Sequence, residues 1–200
     1  MMTRRRQLPV VTRYRPPKEV DNSRPTGFSP LEKENRRLWV ELHFCRHIMR
    51  DHNITAKLTK KPDGSPNLYR WVCAVPGKAG TTWQGGYYKF YLCFTKDYPF
   101  VPPMCQFDPN FFHLNVLNGW LCSKWLRESG GGVYTPTLRI KELLLHIEEV
   151  LYTPNILELK DSYAKNLYYG EHDIYHLKVV NQAKEFKPAT VKAAIARESA

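Results

Sequence analysis

Apolar residues early in the chain fall at Leu31, Leu38, Leu42, Cys45 and Met49, spaced by three, four or seven positions, the stripe of one helical face. Ahead of them, Ser29, Pro30 and Glu32 have the order of an N-cap, a first-turn proline and a capping-box acid. This predicts a helix from Ser29 to Arg50 or Asp51, whose other face carries Lys33, Arg36, His43 and Arg50. The period then changes to two. Ile54–Thr59, Tyr69–Val75, Tyr87–Phe94 and Met104–Phe107 alternate or are rich in aromatic residues, and they are separated by Pro62-Asp63-Gly64, Pro76-Gly77-Lys78-Ala79-Gly80 and Tyr98-Pro99-Phe100-Val101-Pro102-Pro103. Short strands joined by such turns predict a four-stranded antiparallel meander. Helical spacing returns over Thr137–Leu151, then over about Lys160–Tyr169 and Glu171–Phe186. An N-terminal helix, a meander and three C-terminal helices make an α+β domain. Pro188 reads as the end of the core, with an Ala-rich tail over 188–200.

Composition adds the tails and the setting. Residues 1–30 hold seven basic and two acidic side chains among many Pro, Ser, Thr and Asn, so residues 1–28 read as a disordered basic arm. Such an arm serves nuclear targeting or contact with nucleic acid or another acidic surface, or is a solvated tail; nucleic acid is expected through this arm alone. Its Met1–Arg6 start has the charge of a signal peptide without the apolar stretch behind it, and Pro9, Pro16 and Pro17 break a transit helix. The formal net charge of +11 favours acidic macromolecular partners. No apolar run is long enough to span a membrane, so no membrane partner is expected. Five cysteines, an odd number without a Cys-x-x-Cys, point to free thiols in a reducing compartment, here the nucleus and cytoplasm. His43/His47 and His172/His176 have metal-clasping spacing but no evident third ligand, and read as surface histidines. Ser129-Gly130-Gly131-Gly132 lacks the Lys-Ser or Lys-Thr of a phosphate loop and reads as a flexible loop.

The candidate chemistry lies between Phe112 and Cys122. Asn118-Gly119 marks a tight turn, able to fold the amide of Asn115 back towards the thiol of Cys122. Cys73, Cys93 and Cys105 fall inside strands and read as packing residues, whereas Cys122 follows the turn. A thiol beside an amide donor, with no evident base, suits transfer of an acyl group already activated as a thioester. An inert, half-buried thiol after a turn is the alternative on these residues alone.

The same residues carry a resemblance. Lys61-Pro62-Asp63-Gly64, the block Pro76-Gly77-Lys78-x-Gly80-Thr81-x-Trp83-x-Gly85-Gly86 with Lys89, Asp97-Tyr98-Pro99-x-x-Pro102-Pro103-x-Cys105, Phe112-His113, Pro154-Asn155-Ile156 and Gln182-Ala183-Lys184-x-Phe186 resemble the ubiquitin-like conjugating enzymes over about residues 29–187. The Pro-Gly-Lys block resembles their SUMO-conjugating branch. The resemblance implies that Cys122 accepts the modifier from an activating enzyme. It implies that Asn115 stabilises the oxyanion or braces the loop, that His113 supports the active-site loop, and that Glu158 stands near the incoming lysine. The implied partners are SUMO or a related modifier, the activating enzyme, ligases and lysine-bearing protein substrates. No cofactor and no metal is implied, since ATP is spent by the activating enzyme.

Departures from the family pattern keep other readings open. His113-Leu114-Asn115 stands in place of His-Pro-Asn, and Asn115 and Cys122 are seven positions apart where the family has one more. Leu117 replaces a tyrosine of the SUMO branch, Ser123-Lys124-Trp125 replaces an apolar, small segment, and the glycine-rich loop is longer. The first expectation is a SUMO-conjugating transferase. The others are a catalytically degenerate fold acting as a binding module, and a conjugating enzyme for ubiquitin or another ubiquitin-like modifier.

Overall fold

Strand β2 (Pro66–Pro76) divides its apolar residues between two faces. In the computed structural model, which describes residues 34–158 and 161–200 without the side chains of 46–49, Trp71, Cys73 and Val75 enter the main core, whereas Val72 and Ala74 join a second cluster. That is the period of two of an extended chain. Strand β3 (Tyr87–Cys93) repeats it: Tyr88, Phe90 and Leu92 face the main core and Tyr87 the second cluster. Both faces of these central strands are therefore covered, and the domain has three layers.

The layer on the main-core face of the sheet is helical. Helix α1 (Arg36–Asp51) places Leu38 and Cys45 in the main core, and α2 (Ile140–Tyr152) adds Ile140, Leu143, Leu144, Ile147, Val150 and Leu151. The two helices are locked by a carboxylate. Glu41, fully buried, accepts the backbone N–H of Ile140 at 3.1 Å and pairs with Arg37 at 2.8 Å and Arg139 at 3.2 Å. A negative group thus meets the positive end of α2, and its burial is offset by two cations. Asn35 caps α1, its side-chain oxygen accepting Leu38 N–H at 3.1 Å. The expected start at Ser29 and the basic arm 1–28 lie outside the described residues.

The four-stranded meander is present as β1 (Thr55–Lys60), β2, β3 and β4 (Met104–Gln106), and the sheet is wider than expected. A hairpin of β5 (Val116–Leu117) and β6 (Trp120–Leu121) adds two short strands, giving the antiparallel order β1-β2-β3-β4-β6-β5. Its turn has positive φ at both central residues, Asn118 at 50° and Gly119 at 81°, the requirement that selects Asn-Gly. A Cβ at Gly119 would also lie 2.9 Å from the carbonyl oxygen of Phe107.

Among the described residues three helices follow α2 rather than two: α3 (Ser162–Gly170), α4 (His172–Glu185) and α5 (Pro188–Glu198). The expected tail over 188–200 is thus part of the folded body. Pro188 starts a helix instead of ending the core, since its fixed φ and missing N–H suit the first helical turn. Val191 and Ile195, one turn apart, pack on Val72, Ala74 and Tyr87. Glu198 accepts from Lys89 Nζ at 2.5 Å and from the Tyr91 hydroxyl at 2.5 Å, and Ala200 N–H bonds Leu58 O at 3.0 Å.

Truncating Ile195 tests this layer, because the side chain is 2% exposed. Ile195→Ala is expected to lower the unfolding free energy by about 2–4 kcal/mol. Urea denaturation measures the loss, and a cost no larger than that of an exposed alanine substitution would show that α5 adds nothing to the fold.

Candidate active site

Residues 111–115 lead into the hairpin without forming helix or strand, yet His113 and Leu114 are fully buried and Asn115 nearly so. Buried backbone outside regular structure must find its hydrogen bonds elsewhere, and here side chains supply them. Gln182 of α4 accepts Phe112 N–H at 2.7 Å and donates to Phe112 O at 3.2 Å. The Nδ1 atom of His113 accepts Asn115 N–H at 3.0 Å, while its Nε2 lies 3.1 Å from Val150 O in α2. With one nitrogen accepting, the other carries the proton: a neutral Nε2–H tautomer. Burial pushes the His113 pKa down to about 4, as expected where the charged form would lose its hydration.

The Asn115 side chain reaches across to the segment after α2. Its Nδ2 donates to Asn155 O at 2.8 Å and Glu158 O at 3.1 Å, and its Oδ1 accepts Asn155 N–H at 2.9 Å. Both amide protons are directed at backbone carbonyls. The group that meets Cys122 is Asn115's own carbonyl, which accepts Cys122 N–H at 2.8 Å. The turn thus brings the two residues together through the backbone, and in this conformation the amide is a brace.

Cys122 stands directly after β6 and is partly exposed, with its Sγ 3.8 Å from Trp120 O. The other thiols belong to the body of the fold. Burial raises the pKa of Cys45 to about 12, complete burial holds Cys73 and Cys105 well above the ordinary thiol value, and Cys93 is raised by burial with Arg70 opposing. Thiolates are the nucleophilic form, so these four are poorly suited to attack.

Glu158 ends a short 3-10 turn, Ile156–Glu158, and ties it to the residues after the cysteine. Its Oε2 accepts Lys124 N–H at 3.1 Å and Asn155 Nδ2 at 2.9 Å, and its Oε1 pairs with Arg127. On the other side, Ser123 is buried and its Oγ lies 2.9 Å from His146 Nε2 in α2 while accepting Trp125 N–H at 3.2 Å. His146 stacks on Trp125 with ring centroids 4.7 Å apart. Its pKa is lowered to about 4, first by burial and then by Lys124.

The fold therefore gathers Cys122, Asn115 and Glu158 through one hydrogen-bonded network, with His113 beneath it. Asn155, His146 and Arg127 were given no role by the sequence reading. His146 left a faint trace, a polar residue beside the apolar stripe of α2. Arg127 left none, because its partner lies 31 positions away; Asn155 stood only within the Pro154-Asn155-Ile156 motif, and its partner Asn115 lies 40 positions away.

Comparison with known proteins comes to the same region of the chain. The profile of the ubiquitin-conjugating enzyme family matches residues 37–183. The SUMO-conjugating enzyme of Caenorhabditis elegans is 35% identical over 150 residues, covering 74% of this chain and 89% of its own length. That of Arabidopsis thaliana is 35% identical over 159 residues, covering 79% and 93%. The Dictyostelium discoideum enzyme is 38% identical over 142 residues, covering 70% and 88%. Among solved structures, the E2 domain of a Toxoplasma gondii ubiquitin conjugating enzyme matches with a TM-score of 0.64 at 24% identity, covering 77% of this chain and 99% of that one.

The neutral state of His113 has a pH signature. Its folded pKa of about 4 lies below the ordinary 6.5. The stabilisation is therefore fully present above about pH 6.5 and is lost as the pH falls from there towards 4. The shift corresponds to a loss on the order of 3 kcal/mol from this group. Ring 15N chemical shifts at about pH 5.5 should show a neutral Nε2–H imidazole, with urea midpoints falling across that window. A charged His113 ring at that pH would contradict the assignment.

Proposed function

The chain belongs to the ubiquitin-conjugating enzyme family, and on that premise we propose that it is a SUMO-conjugating transferase. It takes the C-terminal carboxyl of the modifier from an activating enzyme as a thioester on Cys122 and passes it to the ε-amine of a lysine in a protein substrate, with ligases as further partners. In the second step the lysine ammonium gives up one proton to water, the amine nitrogen bonds to the thioester carbonyl carbon, the C–S bond breaks, and the second surplus proton restores the thiol. The thioester supplies the activation, so the site's work is to position the amine and to stabilise the tetrahedral intermediate.

The placement of Cys122 carries this reading. It is partly exposed, its N–H is fixed on Asn115 O, and Glu158 is tied to the backbone two residues on. In the proposed mechanism Cys122 is the acyl carrier. Glu158 attracts the substrate ammonium, and Asn115 with His113 holds the loop on which both depend. The bond pattern of Asn115 supports bracing over direct oxyanion contact, since the amide would have to break two hydrogen bonds to turn towards the thioester. Five cysteines with no disulfide among them support the nucleus and cytoplasm as its setting.

A charging assay with activating enzyme, ATP and SUMO tests the proposal. The expected product is a reductant-sensitive adduct that is lost in Cys122→Ala and becomes reductant-resistant in Cys122→Ser. Asn115→Ala is expected to charge but to discharge onto lysine slower by about tenfold or more. No adduct with SUMO but one with ubiquitin would change the modifier, and no adduct with either would leave a binding module.

A further inference from the structure

The two oxygens of Glu158 have different surroundings. Oε2 is held by Lys124 N–H at 3.1 Å and Asn155 Nδ2 at 2.9 Å, which fixes the carboxylate plane against both sides of the site. Oε1 bonds the guanidinium of Arg127. The pair is asymmetric in exposure as well: the Glu158 side chain is 11% exposed and that of Arg127 45%. An immobilised carboxylate thus presents one oxygen outward, and a cation from the solvent side covers it.

The fold holds Arg127 there. The residue follows the 3-10 turn Lys124–Leu126, and its carbonyl accepts Tyr134 N–H at 3.3 Å. The loop Ser129–Gly132 doubles back over it, with Gly132 N–H on Ser129 O at 3.2 Å and Val133 N–H on Lys124 O at 2.9 Å. A Cβ on Gly132 would fall 2.0 Å from Arg127 O, so the close approach of loop and arginine depends on glycine. The lengthened glycine-rich loop, expected from its sequence to be flexible, packs closely against the backbone of the residue whose guanidinium bonds Glu158.

We propose that Arg127 is a gate on the acceptor-lysine seat: its guanidinium occupies the Glu158 oxygen that the substrate ammonium needs, and transfer requires the lysine to displace it. The proposal rests on the transferase reading above and adds a residue that sets selectivity within it. A guanidinium suits the part because it stays protonated and never becomes a nucleophile itself. Its exposure makes the pair weak enough to open. A well-placed lysine then wins the seat, while an amine offered without supporting contacts must compete with a tethered cation. Arg127 is a positioning residue in this scheme, since it acts through Glu158.

The test uses the full chain, preloaded with SUMO so that discharge is counted per mole of thioester. The acceptors are free L-lysine, charged at neutral pH, and hydroxylamine, uncharged there. Arg127→Ala is expected to raise the ratio of lysine to hydroxylamine discharge about three- to fivefold, chiefly through a lower KM for lysine, the range that an exposed ion pair can account for. The rise should vanish when the same substitution is made in Glu158→Gln. Arg127→Met, which keeps the aliphatic stem, stands in if the alanine variant melts early. An unchanged or lower ratio, or an equal rise without the Glu158 carboxylate, overturns the gate. Failure of the unaltered protein to charge with SUMO refutes the transferase reading itself, before the gate is reached.

Discussion

Irregular backbone buried at 111–115 is the constraint around which the domain is arranged. A helix or strand satisfies its own polar groups, but this stretch cannot, and an unpaired buried N–H or carbonyl costs about 1–3 kcal/mol. Gln182 of α4 meets both backbone groups of Phe112, the His113 ring meets Asn115 N–H, and Cys122 N–H meets Asn115 O. The buried side chains of His113 and Asn115 are met in turn by Val150 O at the end of α2 and by the backbone of Asn155 and Glu158 in the turn beyond it. Each contact serves the loop, and those from α4 and α2 also fix a helix relative to the sheet. The geometry of the candidate site follows, because Cys122 is hung from Asn115 O and Glu158 from Asn115 Nδ2. A neutral His113 fits this position because it can accept from one side and donate to the other without importing a charge into the core.

The second organising feature is the two-sided sheet. Inner-face burial against α1 and α2 would suffice to form the meander, yet Val72, Ala74 and Tyr87 face outward and are also buried. Helix α5 covers them, and the polar rim around it is matched: Glu198 bonds Lys89 and Tyr91. Burial pushes the Glu198 pKa up, but the hydrogen bonds from Lys89 and Tyr91, joined by the charges of Lys89 and Arg70, outweigh it and leave the carboxyl below its ordinary value. Lys89, which accompanies the Pro-Gly-Lys block in the sequence, thus holds the last helix to the sheet.

Much of this was legible in the sequence because it rests on local period and local turns. The four meander strands and the helices at 140–152, 162–170 and 172–185 lie within a few residues of their expected bounds. Asn118-Gly119 announced its turn, though not the two short strands that the turn pairs. The Pro188 reading failed because proline both ends and begins helices, and only the outward-facing Val72 and Ala74, 119 and 117 positions before Val191, decide between them. At the site, the proximity of Asn115 and Cys122 followed from a turn between them. The direction of the Asn115 amide did not, since its partners lie 40 and 43 positions away and offer backbone groups that every residue has.

The departures from the family pattern acquire a common sense when set beside these contacts. Leu114 takes the place of a proline, and its side chain is fully buried in the main core, so packing supplies the stiffness that a ring would give. The hairpin that is one residue short closes through a two-residue Asn-Gly turn, which matches strand twist without slack. Ser123, polar where an apolar residue is usual, is buried against His146 and caps the turn that carries Lys124 and Arg127. The glycine-rich loop passes close over Arg127. These four changes are therefore each matched by a contact at the rim of the cysteine, whereas the side chain of Leu117 is exposed. Where a degenerating site would lose its buried polar partners first, this one has Asn115, Asn155 and Glu158 fully engaged with one another. The geometry is that of a site refitted around a different set of contacts, with the thiol still at its edge.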